Sequence, residues 1–341
     1  MRSSRIALLL LLLLAVSYLG TRILRFVRIF GPHAGVRLTQ DEAALAHNST
    51  TPDPRPQLVP KIIHQIFHNW KDPGNEAMPS DWDGLRQTCI DLNPGWEYKL
   101  WTEKISRTFI ESNYPWFLGA YDAFKFPVQR VDALRYFLMR HYGGIYIDLD
   151  NGCRESLEPL LFYPVWVTDG GHGALSNNIL GAQPGHAFYR LLTDSIIPYA
   201  WNYPLPYVTI SYATGQWFET VIWEDYHARL PSPQRSSSTA NSPKAAATDA
   251  TDINMEHDKP LHRIMMDMRP GADRWVFFTQ ERGGTWDNWD NHVFGWIGSH
   301  LLAVLCAALV AVAMLAAVAW YLLRACHALH RRCRVYRPLP K

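Results

Sequence analysis

Pro127 to Cys153 reads PVQRVDALRYFLMRHYGGIYIDLDNGC, and it predicts a helix that delivers a strand ending in two carboxylates. Pro127 suits a helix start, Val131, Leu134, Phe137 and Leu138 recur at helical spacing, and Gly143-Gly144 stops the helix. A short strand, Ile145-Tyr146-Ile147, follows. Asp148 and Asp150 come at its carboxyl end, with Leu149 pointing the other way if the chain stays extended. Aspartate forms strands poorly and is costly to bury, so a pair closing an apolar strand needs a reason, and a divalent cation is the commonest. On the preceding helix, Asp132 and Arg135 are three apart and share a face. By pattern alone that is a surface ion pair; beside a metal site, an arginine held by an aspartate is suited to gripping phosphate or sugar hydroxyls.

Upstream, Lys61 to Phe67 reads as a buried first strand between Pro60 and the turn-like Lys71-Asp72-Pro73-Gly74. It carries His64, Gln65 and Phe67. Its polar residues satisfy the core or face a ligand, and an aromatic at a strand end can stack on a base for about 1–3 kcal/mol. Trp82 to Leu92 predicts a helix, Trp96 to Trp101 a second strand, and Thr102 to Tyr121 further helix broken at Tyr114-Pro115-Trp116. Strand, helix, strand in this order predicts an α/β layer with parallel pairing. Downstream lie the Asp169 to Gly173 loop, Asn177-Asn178, a helix from Ala187 to about Pro198, an aromatic-rich stretch from Trp201 to Trp223, and a last strand at Trp275 to Thr279.

The chain has 341 residues, 48% hydrophobic and 19% charged, enough for a full-sized core, and its net charge of +2 gives no case for nucleic acid as a partner. Residues Leu301 to Leu323 carry no charge and exceed the about 20 residues that cross a bilayer core as a helix. Basic residues Arg324, Arg331, Arg332, Arg334, Arg337 and Lys341 follow, which predicts a cytosolic tail and a lumenal domain before the span. Ile6 to Gly20 is an apolar run of signal-peptide length, read as an uncleaved anchor, with cleavage as the alternative. Asn48-Ser49-Thr50 is then a glycosylation acceptor. Cys89 and Cys153 permit one disulfide in the lumenal domain, without showing whether it forms. The expected organisation is an N-terminal membrane segment at 1–20, a stalk at 21–57, a catalytic domain at 58–230, a disordered low-complexity insertion at 231–260, the end of the catalytic domain with its closing loop at 261–296, a transmembrane helix at 297–323 and a basic tail at 324–341.

A lumenal α/β domain with Asp-x-Asp at a strand end and an Asp/Arg helix face beside it fits nucleotide-sugar transfer. As the sugar leaves a nucleoside diphosphate, negative charge grows on the β-phosphate, and a carboxylate-held Mn²⁺ or Mg²⁺ with arginine or lysine neutralises it. Ile62-Ile63-His64-Gln65, Arg130-x-Asp132-x-x-Arg135-Tyr136, Tyr142-Gly143-Gly144-Ile145-Tyr146-x-Asp148-x-Asp150 and Gly284-Thr285-Trp286 resemble glycosyltransferase family 32. Within it, Asn177-Asn178, Pro184-Gly185-His186, Ala213-Thr214-Gly215 and the final Trp loop resemble the fungal inositol phosphorylceramide mannosyltransferases. The resemblance spans roughly residues 58 to 291, apart from the insertion.

The resemblance implies a GT-A-like fold, a GDP-mannose donor, an inositol phosphorylceramide acceptor in membrane lipid, a Golgi-lumenal site, retention of anomeric configuration and, in some members, a small regulatory membrane subunit. It implies that Asp148 and Asp150, with Asp287, handle the metal and donor ribose, Asp132 and Arg135 the donor sugar, and Phe67 the guanine side. His64, Gln65, Tyr146, Asn177, Asn178 and Thr285 complete the substrate contacts, and Trp286 the closing loop. The family often has Trp where Phe67 stands, His where Asp287 stands, and Ser-Ser where Gly284-Thr285 precede Trp286; Asp287 changes the charge beside the diphosphate. A mannosyl- or galactosyltransferase acting on a glycan, and a non-catalytic membrane scaffold, are the other readings. No retaining nucleophile is assigned.

Overall fold

The computed structural model describes residues 2–47, 53–72, 74–231, 259–281 and 288–335. The chain divides into two compact units, residues 1–285 and 286–341. In the first, helices α1 (Arg2–Arg28), α2 (Gln40–Ala46), α3 (Ser80–Asp91), α4 (Glu103–Asn113), α5 (Pro115–Ala123), α6 (Pro127–His141), α7 (Ala187–Tyr199), α8 (Pro206–Ala213) and α9 (Gln216–Ala228) surround one sheet. Its strands are β1 (Val36–Leu38), β2 (Ile62–Phe67), β3 (Glu97–Thr102), β4 (Gly144–Ile147), β5 (Val165–Asp169), β6 (Ser176–Ala182) and β7 (His262–Met265), in spatial order β1-β7-β5-β6-β4-β2-β3.

The expected α/β layer is present, and β2 pairs in parallel with both β3 and β4. The sheet is mixed, however, because β6 runs antiparallel to β4 and to β5. Buried side chains fill both faces: α6, α7 and α9 cover one with Phe137, Phe188, Phe218 and Trp223, and α2, α3 and the β7 end cover the other with Ala43, Cys89, Ile147 and Phe278.

The helix that delivers β4 starts at Pro127 as expected, and the Gln129 side-chain oxygen accepts from the Phe126 amide at 3.0 Å. It is buried nearly all round, from Val128 to Met139, so its polar residues are interior and not surface groups. Gly143 and Gly144 stop it at φ 63° and 88°, and a Cβ there would lie 2.5 Å from the Ala182 carbonyl and 2.6 Å from that of Ile62. Only glycine allows the chain to turn and enter the middle of the sheet at such close range.

Two expectations are corrected. Residues of the expected stalk belong to the fold: β1 pairs in parallel with β7, Thr39 and Glu42 form a capping box on α2, and Gln40 is buried with bonds to Met265, Val276 and Phe277. A three-residue edge strand holds no readable period, which is why sequence alone misses it. The last strand expected at Trp275 to Thr279 is reduced to a bridge between Phe278 and Cys153. The aromatic-rich stretch from Trp201 to Trp223 forms α8 and most of α9.

The second unit holds α10 (Trp289–Ser299) and α11 (Leu301–Val335). Among the described residues no single helix is long and apolar enough to cross a membrane; Trp289–Ser299 and Leu302–Val318 are so only as a pair, bent by 93°. Asn48-Ser49-Thr50 and nearly all of the 231–260 insertion lie outside the described residues.

Candidate active site

The site forms where β2 and β4 end. Their register, with Ile63 opposite Ile145 and His64 opposite Tyr146, sets Phe67 at the same edge as Asp148. The strand stops at Ile147, and Asp148 to Asn151 closes a turn through a 3.0 Å bond from the Asn151 amide to the Asp148 carbonyl. The carboxylates therefore sit on a turn and not along an extended strand. Leu149 between them is buried and both aspartates are partly exposed.

Arg135 joins helix to turn. Its Nη2 lies 3.2 Å from Asp132 Oδ1, and its Nη1 lies 3.3 Å from Asp148 Oδ2 and donates to the Asn177 carbonyl at 2.6 Å. Its guanidinium also covers the Tyr146 ring at 4.8 Å, and the Tyr146 hydroxyl donates to Asp148 Oδ1. Asp132 accepts from Asn177 Nδ2 at 3.1 Å on one oxygen and from Thr214 Oγ1 at 3.1 Å on the other. Tyr136 ties the rim together, donating to the Thr214 carbonyl at 2.8 Å and accepting from Asn177 at 2.9 Å.

Burial sets the charges. It raises the Asp132 carboxyl to about 6, with Arg135 pulling it back down. Burial weakens the charged form of Arg135, but Asp148, Tyr146 and Asp132 outweigh it and hold the guanidinium protonated. Asp150 is pushed up to about 6, first by burial and then by the Asp148 charge. Asp132 and Asp148 share the Arg135 guanidinium, so Asp150 beside Asp148 adds negative charge that a dication would relieve. Among the described residues no group of three or more His, Cys, Asp or Glu side chains is placed to hold a metal ion. The donor set still fits Mg²⁺ or Mn²⁺, which bind through one or two carboxylates and take their other ligands from substrate phosphates and water; Asp148 and Asp150 are that pair.

The remaining expected residues fall into four groups. His64 is fully buried, its ring bonded to the Gly143 carbonyl at 3.0 Å and to Trp101 Nε1 at 3.1 Å, and burial lowers its pKa to about 3. Gln65 is buried and accepts from the Tyr98 hydroxyl at 2.9 Å. Both side chains bond within the domain interior, where Gln65 Nε2 has no hydrogen-bond partner among the described residues. Phe67 is buried at the end of β2, its ring meeting Trp82 at 6.2 Å. Asn178 orders the turn, accepting from Thr168 and Ser176 at 2.7 Å and receiving the Asp148 amide on its carbonyl at 2.8 Å. Thr285, Trp286 and Asp287 lie outside the described residues. The segment before them is placed: the Glu281 amide bonds the Asp150 carbonyl at 2.9 Å, and Thr279 pairs with Gly152.

Sequence reasoning did not assign Tyr136 or Thr214 to the site, although both stand in motifs it quoted. It also left the cysteine pair open; Cys89 and Cys153 form a disulfide, which pins the turn three residues past Asp150 to α3. Glu219, on α9, had no signal. It is fully buried, neither carboxylate oxygen has a hydrogen-bond partner among the described residues, and burial holds its pKa well above the ordinary value, opposed by Arg135 and helped by Asp132.

Residues 79–166 match the family described as glycosyltransferase sugar-binding region containing DXD motif. The chain is 40% identical over 250 residues to inositol phosphoceramide mannosyltransferase 2 of Schizosaccharomyces pombe, covering 73% of this chain and 64% of that protein. It is 35% identical over 256 residues to mannosyl phosphorylinositol ceramide synthase CSH1 of Saccharomyces cerevisiae, covering 75% of this chain and 60% of that protein. The matches thus span rather less than two thirds of these relatives. Among solved structures, the PaToxG glycosyltransferase aligns at a TM-score of 0.41 with 17% identity, covering 53% of this chain and 74% of that one.

Proposed function

We propose, from the premise that this chain carries a DXD glycosyltransferase sugar-binding region and is similar in sequence to inositol phosphoceramide mannosyltransferases, that it transfers mannose from GDP-mannose to the inositol headgroup of a phosphosphingolipid. The observation that carries this reading is the chain of contacts Asp132, Arg135, Asp148 at the carboxyl end of β4, where open α/β sheets bind their ligands.

In this reading Asp148 and Asp150 hold a divalent cation, Mn²⁺ or Mg²⁺, whose chemistry is to neutralise charge on the departing diphosphate. Arg135 adds a fixed positive charge beside the same place, and because it is buried between Asp132 and Asp148 it needs no reorganisation as charge develops. Asp132, fixed by Asn177 and Thr214, accepts from donor-sugar hydroxyls. The end of β2 at Phe67 lies on the guanine side. Transfer proceeds with retention of anomeric configuration. The domain works in the Golgi lumen next to its lipid acceptor, with a small membrane subunit as partner.

Incubating the purified full chain with GDP-mannose, Mn²⁺ and inositol phosphorylceramide should yield a mannosylated lipid. Absence of product at every metal concentration, with an active relative as control, overturns the reading. A donor panel of GDP-mannose, UDP-galactose and UDP-glucose tests the sugar, with turnover expected from GDP-mannose alone.

A further inference from the structure

Helix α1 presents its apolar side chains to solvent: Leu10, Leu13, Leu14, Val16 and Tyr18 are all exposed. Its C-terminal end is held by the folded domain. The Phe26 ring lies 6.0 Å from Tyr212 and 5.3 Å from Trp217, Phe30 packs on Trp217 at 5.7 Å, and Ile29 is buried. Arg22, Arg25 and Arg28 ring this junction, exposed and without an ion pair among the described residues. Arg25 and Arg22 act on the Tyr199 hydroxyl, opposing the upward pull of burial and of Asp225, so the α7 end lies beside them. From that end project Ile197 and Trp201, the latter 69% exposed, with Tyr203 against Tyr212 at 5.9 Å.

Exposed apolar helix, exposed arginines and the tryptophan-tyrosine fringe are the side-chain classes that an anionic bilayer surface takes up, in its hydrocarbon, its charged headgroups and the amphipathic zone between them. The same junction is close in sequence to a site residue: Tyr212 and Trp217, which hold the end of α1, stand two and three residues either side of Thr214, whose hydroxyl donates to Asp132 at 3.1 Å.

We propose that the face formed by the end of α1, the α7–α8 connection around Trp201 and the start of α9 lies on an anionic lipid surface, with the active site at headgroup level. The part concerning delivery of a lipid acceptor rests on the transfer reading above; the surface contact itself does not. Arg22, Arg25 and Arg28 meet headgroup phosphates, Trp201 and Ile197 enter the interfacial zone, and a headgroup-borne sugar acceptor reaches Asp132 without leaving its membrane.

The test uses the full chain in vesicles of phosphatidylcholine with or without phosphatidylserine, with the photoreactive residue p-benzoylphenylalanine at position 201. Position 45 serves as control: Leu45 is exposed on α2, which packs on the opposite face of the sheet from α7 and α9. Irradiation should give lipid adducts at 201 and none at 45. Phosphatidylserine should raise the yield, and the triple variant Arg22→Gln, Arg25→Gln, Arg28→Gln should lose that increase. Adducts absent at 201, equal at both positions, or replaced at 201 by a cross-linked dimer of the chain overturn the proposal. None of these readouts requires turnover, so failure here is separable from failure of the mannosyl-transfer reading.

Discussion

Arg135 Nη1 lies 3.3 Å from Asp148 Oδ2, which joins a buried helix to the turn that carries both acidic residues of the Asp-x-Asp sequence. The guanidinium is nearly inaccessible to solvent, and its second nitrogen holds Asp132. Arg135→Lys keeps the charge but loses the fork that reaches two carboxylates and the Asn177 carbonyl at once. We expect at least about a 100-fold fall in initial rate, the usual effect of losing a preorganised donor. Arg135→Ala should in addition lower unfolding free energy by about 3–5 kcal/mol, because it strands buried carboxylates. Rates and urea melts on the same preparations check both; a lysine variant with wild-type rate would remove Arg135 from the chemistry.

Asp150→Asn separates function from folding. The Asp150 carboxyl is destabilised by burial and by Asp148, so an uncharged isostere relieves a cost in the metal-free protein. Activity should fall to background while the melting temperature in EDTA stays level or rises. A variant that melts lower in EDTA would mean that Asp150 holds the turn together.

Glu219 gives the pH dependence. Its folded pKa is raised, so the folded state holds a proton that the unfolded chain releases above the ordinary value of 4.5. The stability it contributes is fully present below that value and is lost as pH rises toward the folded pKa. Glu219→Gln, neutral at every pH, should therefore gain stability relative to wild type as pH climbs above 4.5. Melting curves that differ by a constant across that range would contradict a buried neutral acid.

The Cys89–Cys153 disulfide closes a loop of 64 residues in sequence separation. Replacing both cysteines with serine should lower unfolding free energy by about 2–4 kcal/mol, measured by denaturant titration. Because Cys153 follows Asp150 by three residues and its amide bonds Thr88 at 2.9 Å, KM for the donor of the proposed reaction should rise as well. An unchanged KM would limit the disulfide to stability.

The local signals carried much of the design. Pro127, the helical spacing after it, Gly143-Gly144 and the apolar tripeptide before Asp148 fixed α6, its end and β4, because each depends on backbone preferences and on residues a turn apart. Asp132 and Arg135 were visible as neighbours on one helix face for the same reason. What they meet was not visible. Asn177, Thr214 and Asp148 come from β6, the turn after α8 and the end of β4, and only chain pairing across the sheet brings these distant residues to one point. Tertiary structure likewise decided that β6 runs antiparallel, that Val36–Leu38 joins the sheet edge, that His64 and Gln65 face inward, and that Cys89 meets Cys153. The sequence by itself determined which side chains were available for the chemistry and which short elements would carry them; the long-range packing decided which of them share a site, since a hydrogen bond or ion pair depends on distance in space and leaves no period along the chain.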